Sequence, residues 1–143
     1  MFKRLAVIGI AVVGVFVAGL LIGRERAVQG FAKGRVFELR TYTANEGKLT
    51  ALQSRFRDHT TAIFKKHAMQ NIGYWVPADA PASQNTLIYI LAYPDREAAR
   101  KSWAEFMADP EWKKVQQESE VNGNLVDKID SVFMEPTDFS PIR

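Results

Sequence analysis

The stretch RVFELRTYTANEGKLTALQSRFRDHTTAIFKKHAM, Arg35 to Met69, reads as one strand, a short turn and a long amphipathic helix. Val36 to Tyr42 is rich in β-formers and alternates, so Phe37, Leu39 and Thr41 share one face and Val36, Glu38, Arg40 and Tyr42 the other. Both sets keep apolar or aromatic members, which predicts a sheet wetted on neither side. Ala44-Asn45-Glu46-Gly47 supplies the turn, with Asn45 as the expected N-cap. From Glu46 onward Leu49, Leu52, Phe56, Thr60, Ile63 and Phe64 recur at helical spacing, while Lys48, Arg55, Asp58, Lys65 and Lys66 form the expected solvated stripe.

Downstream, Asn71–Pro77 is a second strand and ADAPASQN (78–85) has loop composition. Thr86–Tyr93, TLIYILAY, is apolar on both faces and so belongs in the middle of a sheet. Asp95 caps a helix to about Met107, with Ala99, Trp103 and Phe106 inward. Asp109-Pro110-Glu111 opens another, because an Asp cap, a proline in the first turn and an acid near the positive helix end all favour initiation. That helix reaches about Glu120, Gly123 ends it, and Lys128–Glu135 is the last strand before PTDFSPIR. The order β-α-β-β-α-α-β is α+β and ferredoxin-like, with helices on one side of a four-stranded antiparallel sheet. Tyr42, Trp75 and Tyr89 are assigned to the other side, where a second copy would cover them about a two-fold axis.

Upstream, Leu5–Ile22 is an uncharged run bracketed by Lys3-Arg4 and Arg24-Glu25-Arg26. Its 18 residues would span about 27 Å as a helix, near the thickness of a bilayer core. No convincing small-x-small cleavage site follows, so an uncleaved transmembrane anchor over 1–23 is expected ahead of a cleaved signal. Residues 24–34 form a basic linker and 35–143 the domain. Lys3 and Arg4 argue for an inside N-terminus, whereas Arg24, Arg26, Lys33 and Arg35 outnumber them. The expected address is a single-pass membrane protein with its domain on the periplasmic or extracytoplasmic side. Gly14, Ala18, Gly19 and Gly23 make small-xxx-small pairs on which another membrane helix could pack.

The sequence pI near 9.3 suggests nucleic acid, but the basicity is local. Five cations against Glu25 give residues 1–34 a charge of +4, and the net +3 of the chain leaves −1 for the rest. A near-neutral domain lacks the electrostatic footprint of a nucleic-acid binder. With no cysteine, disulfides, thiolate metal sites and cysteine nucleophiles are excluded.

Phe37-Glu38-Leu39-Arg40-Thr41-Tyr42, His59-Thr60, Lys66-His67-x-Met69, Asn71-Ile72-Gly73-Tyr74-Trp75, Ser102-Trp103 and Asp109-Pro110-Glu111-Trp112 resemble the NIPSNAP family. So does Phe133-Met134-x-Pro136-Thr137-Asp138-Phe139-Ser140-Pro141. The resemblance runs collinearly over about 35–141 and implies a dimeric α+β barrel. It implies little about activity: members of the family serve mostly in binding or signalling, and the wider superfamily includes cofactor-poor monooxygenases and haem enzymes.

His59 and His67 stand eight residues apart, about 12 Å along a helix, too far to chelate one metal. Packing or capping is the plainer role for each; His59, mid-helix, is the candidate general base. Glu38 and Arg40 share a strand face, either as an ion pair in the dimer interface or as an arginine clamp for an anionic ligand. The candidate ligand-binding set is Arg40, Tyr42, His59, Tyr74, Trp75 and Tyr89, with no cofactor or metal expected. Two functions follow. The first is a membrane-tethered interaction or accessory module that pairs with itself or a related barrel domain. The second is a small-molecule-binding or monooxygenase-like enzyme with a pocket between helix and sheet.

Overall fold

The computed structural model describes residues 34–143. The anchor, nearly all of the linker, and the Gly14, Ala18, Gly19 and Gly23 pairs lie outside the described residues. Among those described, no helix is long and apolar enough to cross a membrane.

Strand β1 (Val36–Ala44) is followed by a helix in three parts: α1 (Leu49–Arg55), a π-helical turn (Phe56–Thr60) and α2 (Thr61–Lys66). Strands β2 (Gln70–Trp75) and β3 (Thr86–Tyr93) come next, then α3 (Arg96–Ala108), α4 (Pro110–Ser119) and β4 (Val126–Met134). The sheet order is β2-β3-β1-β4, every pairing antiparallel, so the most apolar strand, β3, is internal as its composition requires. This is the α+β arrangement expected from the element order.

Leu49, Leu52, Phe56, Thr60, Ile63 and Phe64 are all buried, as the periodicity demands. The helix begins three residues later than expected, however, and Asn45 does not cap it. Gly47 turns with φ +71°, and the Asn45 amide donates instead to the Asn124 carbonyl at 2.9 Å, tying the turn to the loop before β4. The caps of the later helices are as read. Asp95 accepts from the Ala98 amide at 2.8 Å and Asp109 from the Glu111 amide at 2.8 Å. Asp109 also holds the end of α2, accepting from Lys66 Nζ at 2.8 Å and lying 2.6 Å from His67 Nε2. His67 is thus a junction residue, in line with its plainer reading.

The alternation along β1 is correct, but the face assigned to the outside is the one beneath the helices. Register pairs Glu38 with Leu91, Arg40 with Tyr89 and Tyr42 with Leu87, and all of these except the half-buried Arg40 are buried. Tyr42 and Tyr89 are therefore core residues, with Tyr89 fully enclosed among Tyr42, Phe56, Phe64 and Tyr74. The open face carries Leu39, Thr41, Ile88 and Ile90, flanked by Trp75 on β2 and Val132 on β4. Trp75, 51 % exposed, is the one member of the expected trio on that side. It lies across Gly73, where an added Cβ would meet its ring at 2.5 Å. The reason for the reversal is chemical: the Tyr93 hydroxyl, the Trp103 indole and the Ser131 hydroxyl beneath the helices give a charged pair its partners, which the aliphatic face cannot.

Phe64, 1 % exposed, touches the rings of Phe56, Tyr89, Trp103 and Phe106 and so joins the interrupted helix to the sheet and α3. Phe64→Ala is expected to cost about 3–5 kcal/mol in urea unfolding; a loss below about 1 kcal/mol would place the stability of the core elsewhere.

Candidate functional site

Glu38 lies 2 % exposed at the centre of the helix-covered face. Its Oε1 accepts from Arg40 Nη1 and Ser131 Oγ, each at 2.7 Å. Its Oε2 accepts from Tyr93 Oη at 2.8 Å and Trp103 Nε1 at 2.7 Å. Burial alone would raise this carboxyl's pKa. The Ser131 and Trp103 hydrogen bonds, the Arg40 charge and the Tyr93 hydroxyl outweigh that and hold it below its ordinary 4.5. The same carboxylate pushes the Tyr93 hydroxyl up, with burial as the larger cause. The ion pair read from the sequence is real, but it sits beneath the helices rather than in the open face.

Arg40 stacks over the Trp103 ring at 4.1 Å and over Tyr42 at 5.6 Å. Burial opposes its charge, yet the Glu38 carboxylate at 2.7 Å more than compensates, and the guanidinium stays ionised. One nitrogen holds Glu38; its Nε is buried without a partner.

Beside Arg40 opens a cavity of about 650 Å³ between the sheet and the helices. Arg40 and Tyr42 come from β1, Arg55 from α1, Phe56 and Thr60 from the π-helical turn, and Phe64 from α2. Trp103, Phe106 and Met107 on α3, Trp112, Gln116 and Glu120 on or after α4, and Asn124, Val126, Asp127 and Ile129 toward β4 complete it. Met107 and Ile129, both about half exposed, stand where it meets solvent. The volume suits a small organic molecule.

Arg55, expected on the solvated stripe, is 5 % exposed and belongs to this wall. Three residues from Leu52 and adjacent to Phe56, it falls inside the apolar arc of the helix. Its Nη1 donates to Glu120 at 2.9 Å and Ser119 at 3.3 Å, and its guanidinium stands 5.2 Å over the Trp112 ring. The π-helical turn follows it directly, and the Arg55 carbonyl accepts the Thr60 hydroxyl at 3.2 Å. Such turns are frequent at functional sites. Arg55 Nε and Trp112 Nε1, like Arg40 Nε, are buried without a partner.

Of the six ligand-binding candidates, Arg40 and Tyr42 line the cavity. Tyr74 and Trp75 line a separate groove of about 260 Å³ on the β2 side, where burial raises the Tyr74 hydroxyl. Tyr89 is sealed in the core between them. His59 is exposed and faces a shallow groove with Asp58, Val115 and Glu118. Neither histidine lines the cavity. The rest of the wall, Arg55 and Trp112 included, was not among the sequence candidates; for Arg55, a cation within an apolar helical arc was the available signal. Among the described residues no group of three or more His, Cys, Asp or Glu could hold a metal ion.

Sheet, helix order and the cavity between them define an α+β domain of the barrel-forming class. The NIPSNAP family pattern matches residues 37–141, and the chain belongs to that family. It is similar in structure to a NIPSNAP family protein of unknown function from Agrobacterium tumefaciens, with TM-score 0.68 and 25 % identity over 78 % of this chain and 96 % of that one. An uncharacterized NIPSNAP-like domain protein from Burkholderia xenovorans gives 0.66 and 22 % over 76 % and 90 %. SnoaB, a cofactor-independent oxygenase from Streptomyces nogalater, gives 0.50 and 14 % over 76 % and 98 %, a likeness of fold alone. No curated protein matches the chain.

Glu38→Gln removes the counter-charge of a buried guanidinium and is expected to cost about 3–5 kcal/mol near neutral pH. Because the Glu38 pKa is depressed in the folded state, its contribution is complete above the unfolded value of about 4.5 and is lost as pH falls below it. Wild-type stability should therefore drop more steeply than that of Glu38→Gln as pH falls below about 4.5. Parallel profiles would mean that this carboxylate does not titrate with folding.

Proposed function

We propose that this NIPSNAP domain binds a small organic molecule in the helix-covered cavity, and that the domain is a membrane-tethered dimer. The observation that carries the binding reading is the cavity itself: about 650 Å³, walled by aromatic rings. Binding rather than turnover is favoured, because the arginines here are anchored to carboxylates and neither histidine is in reach. The oxygenase alternative draws only on the shared fold with SnoaB.

The pairing half rests on the open sheet face. Leu39 opposite Ile90, Thr41 opposite Ile88, and the exposed Trp75 and Val132 form an apolar surface that a second copy would cover. A related barrel domain could use the same face, and other membrane helices could meet the small-residue pairs. Tethering rests on the uncharged Leu5–Ile22 run and its basic flanks, and an extracytoplasmic domain on the sequence reading alone.

Fragments screened by fluorine NMR against the full chain in lipid nanodiscs are expected to yield ligands. Gln116→Trp, which fills the cavity from α4, should abolish their binding while the fold persists; hits indifferent to that change, or none at all, would remove the binding reading. In detergent, the full chain is expected to have the mass of a dimer by light scattering and Ile90→Lys that of a monomer. Equal masses would place any association outside the sheet face.

A further inference from the structure

We infer that the cavity, if it is the binding site, selects an uncharged molecule with a ring-bearing apolar body and turns away charged analogues of the same shape. This rests on the cavity being a binding site and specifies what it takes.

The two cations on its wall each have an opposite charge in contact. Arg40 holds Glu38 at 2.7 Å and Arg55 holds Glu120 at 2.9 Å. Asp127 is the one charged wall residue without an ion pair among the described residues, and it is exposed, so solvent screens it. The other polar side chains of the wall, Thr60, Gln116 and Asn124 among them, are uncharged.

An anion entering this space would lose hydration and meet no free counter-charge. Each guanidinium already faces a carboxylate, which would repel the newcomer. A cation is no better placed, because the rings that would attract it already hold one. Arg40 lies 4.1 Å from the Trp103 ring centroid and 5.6 Å from that of Tyr42, and Arg55 lies 5.2 Å from that of Trp112. A second cation beside these rings would be repelled by the first. What the walls offer without a competing charge is apolar surface, from Phe56, Phe64 and Phe106 out to Met107 and Ile129 where the cavity meets solvent. Burying apolar area against it is favourable, and only an uncharged ligand keeps that gain undiminished by desolvation of an ion.

The test is calorimetric titration of the full chain in nanodiscs of zwitterionic lipid, with empty nanodiscs as reference. The probes are 2-naphthol, 2-naphthoate and 2-naphthylmethylammonium at neutral pH, one body carrying no charge, a negative charge and a positive charge. The naphthol is expected to bind at least about tenfold more tightly than either ion. Glu120→Gln strips Arg55 of its counter-charge. It should tighten naphthoate about tenfold and leave naphthol within about twofold. Circular dichroism reads whether that variant folds, and the ranking of the three probes on the wild-type chain decides the matter if it does not. An ion binding as tightly as naphthol, or naphthoate unchanged in folded Glu120→Gln, overturns the charge selection and leaves the cavity reading standing. Binding of none of the three at millimolar concentration also overturns it, while a fragment hit lost in Gln116→Trp would still uphold the cavity.

Discussion

Four donors converging on one carboxylate organise this domain. Glu38 on β1 is held by its neighbour Arg40, by Tyr93 on β3, by Ser131 on β4 and by Trp103 on α3. One side chain therefore ties three adjacent strands to the helix above them. A buried carboxylate without these partners would be strongly unfavourable, so the elements that supply them must be in place together. That requirement also specifies which face of β1 turns inward, since the aliphatic face carries none of the donors. The pair need not add much net stability to have this effect; it makes the alternative facing costly.

The same network prepares the cavity. Glu38 orients Arg40 beside the cavity, and Trp103 stacks on its guanidinium. Across the cavity, Glu120 and Ser119 do for Arg55 what Glu38 does for Arg40. The π-helical turn immediately after Arg55 widens the helix by one residue where it crosses the cavity, so Phe56 and Thr60 both reach the wall. Polar groups fixed in this way would meet a ligand without first having to be ordered.

The element order, the internal place of β3 and the Asp95 and Asp109 caps were all legible, because each depends on local pattern or on one side chain near its own backbone. The facing of the sheet was not. Val36-x-Glu38-x-Arg40-x-Tyr42 and Phe37-x-Leu39-x-Thr41 both keep apolar or aromatic members, so the alternation does not say which set lies beneath the helices. What decides it is the set of partners 55, 65 and 93 residues away, whose convergence no periodicity records. The site divided in the same manner. Arg40 and Tyr42 were found because they share a strand face, whereas Arg55 was assigned to solvent because a charge outweighs position in any hydropathy count. Its place three residues after Leu52 and one before Phe56 was the contrary signal.

The two faces of the sheet then divide the work. The aliphatic face offers shape and apolar area but no unpaired donor among its central residues, which suits an even surface such as another copy of itself. The helix-covered face buries charge, aromatic rings and unanswered N–H groups together, an arrangement that would be costly if its only purpose were to hold the domain shut. A simple aliphatic layer beneath the helices would do that with less desolvation. Two arginines anchored to carboxylates are thus held around one cavity at a desolvation cost that closing the helices onto the sheet does not require.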